Sequence, residues 1–413
     1  MQTEEQKAPI DIEKVKQLNT SLEQLADEQT NERYQVLDEL VNLYKEAEAY
    51  EEAAEAQMQL IDLIDEEDAE GLGHAQWKAG KLWANAGKLE EAITAMEAAV
   101  ELLPEAELPE LLFQLGQVYR EHEDIENATE TLNLALEHYE SQERTDLSAE
   151  THYILAECLI QKRDWMPAAE NLETGLALFM QDTEKNGEII AQTYHLLGNV
   201  HFYLQEPKKA FDQYMTSIKW KRKVGLEKEV GKSYRNIGRI FELKREWGKA
   251  LQACEKGAKW DEQSGNLDDL ANNYEEIAQL YKMQNNWDKA AESYKRSIEG
   301  LIQAGNEIRV GYIYDQIGSM YEEVEDSDNA ITYFQLALEW FEKTQNEQEQ
   351  GGTHEQLARL YDEQGAKEKA IQHYESCVAI YEALESEKLT EVQDKLDKIK
   401  NPPKKGFWGR WFG

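Results

Sequence analysis

The stretch "IGSMYEEVEDSDNA" (residues 317–330) decides the fold, because the chain repeats it. "LGQVYREHEDIENA" (115–128), "LGNVHFYLQEPKKA" (197–210) and "LYKEAEAYEEA" (43–53) follow the same plan. A small residue recurs at Gly80, Gly116, Ala156, Gly198, Gly238, Ala278, Gly318 and Ala358, with Val41 before them. The spacing settles at forty residues in the later units. Twelve residues beyond each stands an alanine: Ala53, Ala92, Ala128, Ala168, Ala210, Ala250, Ala290, Ala330 and Ala370. Three beyond it is in most units a large side chain, such as Trp83, Tyr119, Phe241 or Tyr321. Four beyond each alanine a bulky residue usually follows, among them Met96, Leu132, Tyr214, Tyr294, Phe334 and Tyr374.

Apolar residues at i, i+3, i+4 and i+7 make one face of a helix. Two such segments per unit predict a helical hairpin, and a small residue on each helix lets the backbones approach. One hairpin cannot bury its own face, so neighbours must stack into a solenoid. Gly225, Gly265 and Gly305, also forty apart, are placed to end second helices.

At these residues the chain resembles the tetratricopeptide repeat family, whose Leu-Gly…Tyr…Ala pattern the quoted segments carry over about residues 31–385. The unit is longer than the family's usual one, and the closing Pro occurs only as Pro104. In repeat length it looks like the long-helix variety of kinesin light chains and cell-polarity adaptors. The resemblance implies an all-α, right-handed superhelix of about nine hairpins with capping helices at both ends. The expected division is an acidic N-terminal segment with a capping helix (1–30), nine repeat units (31–385), a closing amphipathic helix (386–400) and an aromatic, basic tail (401–413).

Composition narrows the function. Among 413 residues, 83 acids face 44 Lys and Arg, a net charge of −39. General nucleic-acid binding needs a basic face and is excluded as an expectation. No apolar run is long enough to span a bilayer. The N-terminus has neither the basic nor the apolar region of a secretory signal. Cys158, Cys254 and Cys377 form no metal-ligand or redox spacing. They read as small buried hydrophobes in a reducing cytoplasm. No HExxH, GxSxG or phosphate-binding loop occurs, and the histidines do not cluster, so neither an enzyme nor a cofactor is expected.

Binding candidates lie on the first helix of each unit, which in the family lines the concave face. Three residues before the small position the series runs Asp38, Trp77, Phe113, Tyr153, His195, Arg235, Glu275, Asp315, Glu355. Two readings stand for the four consecutive rings Trp77, Phe113, Tyr153 and His195. They line an apolar groove for a partner segment, or the stack packs tightly enough to bury them. Seven other or overlapping tryptophans recur with the repeat (Trp83, Trp165, Trp220, Trp247, Trp260, Trp287, Trp340) and read as packing residues. Residues 205–260 hold fifteen Lys or Arg against seven acids. Within them Lys232, Arg235 and Arg239 fall on the inner face, with Asn199 one unit earlier. The resemblance implies that the Asn bonds a peptide backbone and the cations hold a carboxylate; the alternative is charge balance along an acidic array. In the tail, Phe407, Trp408, Arg410, Trp411 and Phe412 suit a lipid interface or a protein groove.

The leading expectation is a non-enzymatic adaptor that binds a protein or peptide partner, acidic or ending in a free carboxylate, on its concave face. The tail would tether it at a membrane periphery or an assembly. Alternatives are a self-assembling structural protein with tail-in-groove contacts and a co-chaperone-like binder of chain ends.

Overall fold

The computed structural model describes residues 11–26 and 29–401. Among them the regular structure is twenty α-helices and one 3₁₀ turn, with no strand. The chain divides into two compact units, residues 1–210 and 211–413.

The first unit holds α1 (Ile12–Gln24), α2 (Thr30–Glu46), α3 (Tyr50–Ile61), α4 (Ala69–Asn85), α5 (Leu89–Leu102), α6 (Leu108–Glu121), α7 (Ile125–Ser141), α8 (Thr145–Gln161), α9 (Trp165–Phe179) and α10 (Gly187–Tyr203). Helix α11 (Pro207–Lys223) begins there and runs into the second unit. That unit continues with α12 (Val230–Leu243), α13 (Trp247–Ser264), α14 (Leu267–Met283), α15 (Trp287–Ala304), α16 (Glu307–Glu323), α17 (Ser327–Lys343), α18 (Glu347–Glu363), α19 (Lys367–Ala383) and α20 (Leu389–Lys400). Within each unit a helix packs on the next in sequence, α2 on α3, α3 on α4, and likewise from α12 to α20. First helices also touch across the hairpin between them, α6 with α8 and α12 with α14. This is the stacked-hairpin solenoid expected from the repeat.

The period acts through steric fit. All nine repeat alanines have 0% of their surface exposed. At Gly318 a methyl group would lie 2.8 Å from the Phe334 ring, and at Gly116 it would lie 2.6 Å from Leu132 Cγ. The small residue of the first helix therefore receives the bulky residue of the second. At the ends, Val15, Leu18 and Leu22 of α1 cover the cluster holding Leu37, Leu40 and Val41. Val392 and Leu396 of α20 are buried against Tyr374, Cys377 and Tyr381.

Helix starts are written in side chains. Asp68, Asp124, Asn266, Asn286 and Asp326 are N-caps that accept from the backbone N–H three residues on. Stops are set differently. The residue seven beyond the small position is left-handed in all nine repeats: Glu48, Gly87, Glu123, Arg163, Gln205, Arg245, Asn285, Glu325 and Gly365. Around Glu123 the Asp124 N–H donates to Tyr119 O and the Glu123 N–H to Arg120 O, which satisfies the last carbonyls of α6. Gly225, Gly265 and Gly305 end second helices with φ of 83°, 69° and 76°, as the sequence predicts.

Candidate functional site

In the first unit the four candidate rings sit on α4, α6, α8 and α10, but not in one environment. Trp77 is half-buried, donates from Nε1 to Gln114 Oε1 at 2.8 Å and carries Lys81 Nζ 4.3 Å from its ring centroid. It lines a cleft of about 220 Å³ with Glu107, Glu110, Tyr139 and Arg144. Phe113 is only 6% exposed and lies edge-on to Tyr139 in the core of its repeats. Tyr153 is half-buried, packed beside Leu155 and Leu197. His195 is buried at 7% exposure. At Phe113 and His195 the packing reading therefore describes the observed burial. Asn199 is half-buried on the same helix as His195.

In the second unit Lys232, Arg235 and Arg239 come together. With Asn236 they form one wall, from α12, of a cleft of about 410 Å³. Asn272, Glu275, Glu276 and Gln279 of α14 form the opposite wall, and Gln316 of α16 closes it. Position within the cleft separates the three cations. Lys232 is exposed at the rim, and no carboxylate among the described residues lies within ion-pair distance of it. Arg239 is half-exposed and donates from Nε to Glu276 Oε1 at 2.8 Å. Arg235 is 8% exposed, and its guanidinium is held by Asp269 Oδ1 at 2.8 Å and Asp269 O at 3.3 Å. Arg235 is thus a pillar of the cleft, already supplied with a carboxylate by its own chain.

That pairing is one rung of a pattern along the first helices. Arg120 pairs with Glu157, Arg239 with Glu276, Arg309 with Glu275 and Arg359 with Glu322, each pair linking adjacent repeats. The ladder sets the electrostatics of the site. Burial pushes the Asp269 carboxyl up, but the hydrogen bond and charge of Arg235 outweigh it and leave it below its ordinary value. Burial raises Glu275 despite Arg309. Asp315, on the same face, is pushed up to about 6 by burial and by the nearby charges of Glu349 and Glu322.

The cleft residues absent from the expected set are Asn236, Asn272, Glu275, Glu276, Gln279 and Gln316. Asn272 and Gln279 stand six before and one after the small position, the registers that Lys232 and Arg239 hold one repeat earlier. Asn236, Glu276 and Gln316 all stand two before it, a register that the three-residue series passes over.

The family model described as "Soluble NSF attachment protein, SNAP" matches residues 14–183 and 225–391. The chain belongs to the soluble NSF attachment protein family. A tetratricopeptide repeat model matches residues 191–224, between the two SNAP segments. No curated protein matches. Among solved structures, aspartyl phosphate phosphatase F from Bacillus subtilis is similar with a TM-score of 0.50 and 13% identity, over 86% of this chain and 94% of that one. The apo form of RapI has a TM-score of 0.47 and 17% identity, over 66% of this chain and 99% of that one. A Rap protein complexed with competence and sporulation factor has a TM-score of 0.43 and 14% identity, over 93% and 99%. At 13% identity the likeness to the first of these is one of fold.

A SNAP-family array of helix pairs is a scaffold for protein interaction, since stacking creates extended side-chain-lined surfaces. No described helix is long and apolar enough to cross a membrane. The tail residues Phe407, Trp408, Arg410, Trp411 and Phe412 lie outside the described residues.

Proposed function

We propose that this SNAP-family chain is a non-enzymatic adaptor that holds an extended segment of a protein partner in the cleft between α12, α14 and α16. The observation that carries this reading is the cleft's lining. Amides of Asn236, Asn272, Gln279 and Gln316 line it; Asn272 donates to Asp269 and accepts from Arg309, and Gln279 donates to the Tyr294 hydroxyl, so a peptide backbone would exchange with bonds of this kind. Lys232 stands at the rim without a carboxylate and suits an acidic side chain or a chain-terminal carboxylate. Arg239 is accessible enough to trade Glu276 for a ligand anion, whereas Arg235 keeps the wall in place. In the first unit the half-buried Trp77 and Tyr153 would supply the apolar contact, with Asn199 as a further backbone partner, while Phe113 and His195 are buried. The tail, from Phe407 to Phe412, is the tether to a membrane or an assembly, and three cysteines without a pairing pattern are the ground for setting the adaptor in the cytoplasm. A protein partner also agrees with the family's name, which describes attachment of NSF.

Binding to an array of extended peptides, each with free and with amidated C-terminus, tests the cleft. Lys232→Glu combined with Arg239→Glu should weaken the peptides that bind by tenfold or more, about 1.4 kcal/mol. Circular dichroism should show unchanged helix content. Equal binding by wild type and the double variant would remove the cleft from the function.

A further inference from the structure

The basic run Lys219–Lys223 is not part of the cleft and has an arrangement of its own. Lys221 turns inward: it is 1% exposed, and its Nζ donates to Glu229 O and Ser233 Oγ, both at 3.2 Å, with Glu229 Oε2 at 3.3 Å. This buried ammonium ties the turn after α11 to α12. Lys219, Arg222 and Lys223 are left on the outside, and Lys228 is exposed at the far end of the turn. Lys256 and Lys259 are exposed on the neighbouring helix α13. Among the described residues none of these six has a carboxylate within ion-pair distance, in a chain where acids outnumber bases almost two to one.

The exposed cations surround aromatic and aliphatic groups. Lys223 Nζ lies 4.2 Å from the centroid of Trp220, and Arg222 lies 5.3 Å from that of Trp260 on α13. Both tryptophans are half-exposed and close to the C-terminal ends of their helices. Between the cations the turn carries Val224 and Leu226, half-buried on either side of Gly225, whose φ of 83° makes the turn. The corresponding turns after α13, α15 and α17 read Ser-Gly-Asn, Ala-Gly-Asn and Thr-Gln-Asn instead. The tryptophan register recurs at Trp340 and belongs to the repeat, whereas Arg222 and Lys228 give way to Glu262 and Asp268 one repeat on, so repeat packing does not demand the cations. Helix-end electrostatics do not demand them either: the second helices α13 and α15 have no cation in the last turn, and Lys343 of α17, 4.3 Å from the Trp340 ring, is ion-paired to Glu307, unlike Lys223.

Indole rings flanked by lysine and arginine, with short aliphatic side chains at the tip of a turn, have the composition of an interfacial membrane contact. Each indole has one of the chain's own cations beside its ring. Each Lys or Arg close to an anionic bilayer contributes about 1 kcal/mol, while charges beyond roughly 10 Å are screened. A local basic edge can therefore bind although the whole chain is acidic. We propose that the turn after α11, with Trp220, Arg222, Lys223, Lys228 and Trp260, is a docking surface for anionic lipid headgroups. It is separate from the peptide cleft and from the tail.

Flotation of the full-length chain with phosphatidylcholine vesicles, with and without phosphatidylserine, tests this. The wild type should float with the anionic vesicles only. Arg222→Ala with Lys223→Ala, both exposed, should weaken partitioning about thirty-fold. A full-length tail variant, Trp408→Ser with Trp411→Ser, should keep the Arg222- and Lys223-dependent binding. Absence of flotation, or equal flotation of wild type and the Arg222/Lys223 variant, overturns the proposal. Loss of all binding in the tail variant transfers the contact to the tail and also overturns it. Binding of soluble polyaspartate through Arg222 and Lys223 without vesicle binding assigns the patch to an acidic protein instead. Peptide binding in the cleft is read separately by Lys232→Glu/Arg239→Glu, so either reading can fail alone.

Discussion

Asp261, on α13, has no exposed surface, and Gly231 leaves the space its carboxylate fills. Its Oδ2 accepts from Asn273 Nδ2 at 2.6 Å, while Asp261 Oδ1 and Asn273 Oδ1 have no hydrogen-bond partner. Burial, against the help of Asn273, pushes the carboxyl up to about 7. A folded-state value above the ordinary 3.8 means that the folded chain binds this proton more tightly than the unfolded chain does. The resulting stability is complete below about pH 4 and is lost as pH rises through 7. Asp261→Asn keeps the shape, removes the charge and offers an N–H to the lone Asn273 Oδ1. It should stabilise the second unit by about 1–3 kcal/mol at pH 8. The gain should shrink towards zero near pH 4, read as the shift in urea midpoint at the two pH values. An unchanged midpoint at pH 8 would mean that Asp261 is not a strained charge. Sequence could not single out Asp261 among so many acids, because the space for its carboxylate is left by Gly231, thirty residues away. Phe113 and His195 share that difficulty, since a ring at an inner-face register is a ligand contact or a core residue according to how closely the next helix approaches.

At the scale of the element, the position that ends each first helix is left-handed in all nine repeats, yet glycine occupies it only at Gly87 and Gly365. Glu325, with φ of 60°, has its N–H bonded to Glu322 O at 2.9 Å, and the next N–H bonds to Tyr321 O at 2.9 Å. The hydrogen bonds hold a conformation that costs a residue with a Cβ about 1–2 kcal/mol, part of which glycine's extra unfolded-state freedom cancels. Glu325→Gly should therefore stabilise the α16–α17 hairpin by up to about 1 kcal/mol, whereas Glu325→Val should destabilise it. Thermal melts followed by circular dichroism distinguish the two, and an identical melting temperature for both would show that the turn is not strained. The forty-residue period makes these turns locatable, but Glu, Arg and Gln do not signal their geometry. An N-cap such as Asp326, by contrast, carries its role in its own side chain.

For the whole molecule, two electrostatic effects compete. A net charge of −39 repels itself over long range, while the ladder from Arg120–Glu157 to Arg359–Glu322 attracts at contact. Salt screens distant charges far more than close, partly buried pairs. Raising ionic strength from about 10 mM to about 300 mM, over which the screening length falls from roughly 30 Å to under 10 Å, should raise the melting temperature. A fall instead would mean that the ladder outweighs the repulsion. Sequence composition predicts the repulsion. The ladder needs the pairing of residues thirty-four to thirty-seven apart, which follows from the repeat only after the register of adjacent first helices is known.

Local sequence sets whatever repeats: helical hairpins, their number, and the alanines and small residues that let them close. These follow from local periodicity and side-chain volume, and each of nine copies testifies to the same rule. Only the tertiary structure decided which inner-face residues reach solvent. It buried Phe113 and His195, gave Arg235 to Asp269 and left Lys232 at the rim of a cleft lined with amides. It also turned Lys221 inward and Lys219, Arg222 and Lys223 outward from one run of five residues. The physical reason is that exposure and ion pairing depend on distances between residues about forty apart in the chain, set by helix packing, whereas hairpin formation depends on neighbours within a turn or two.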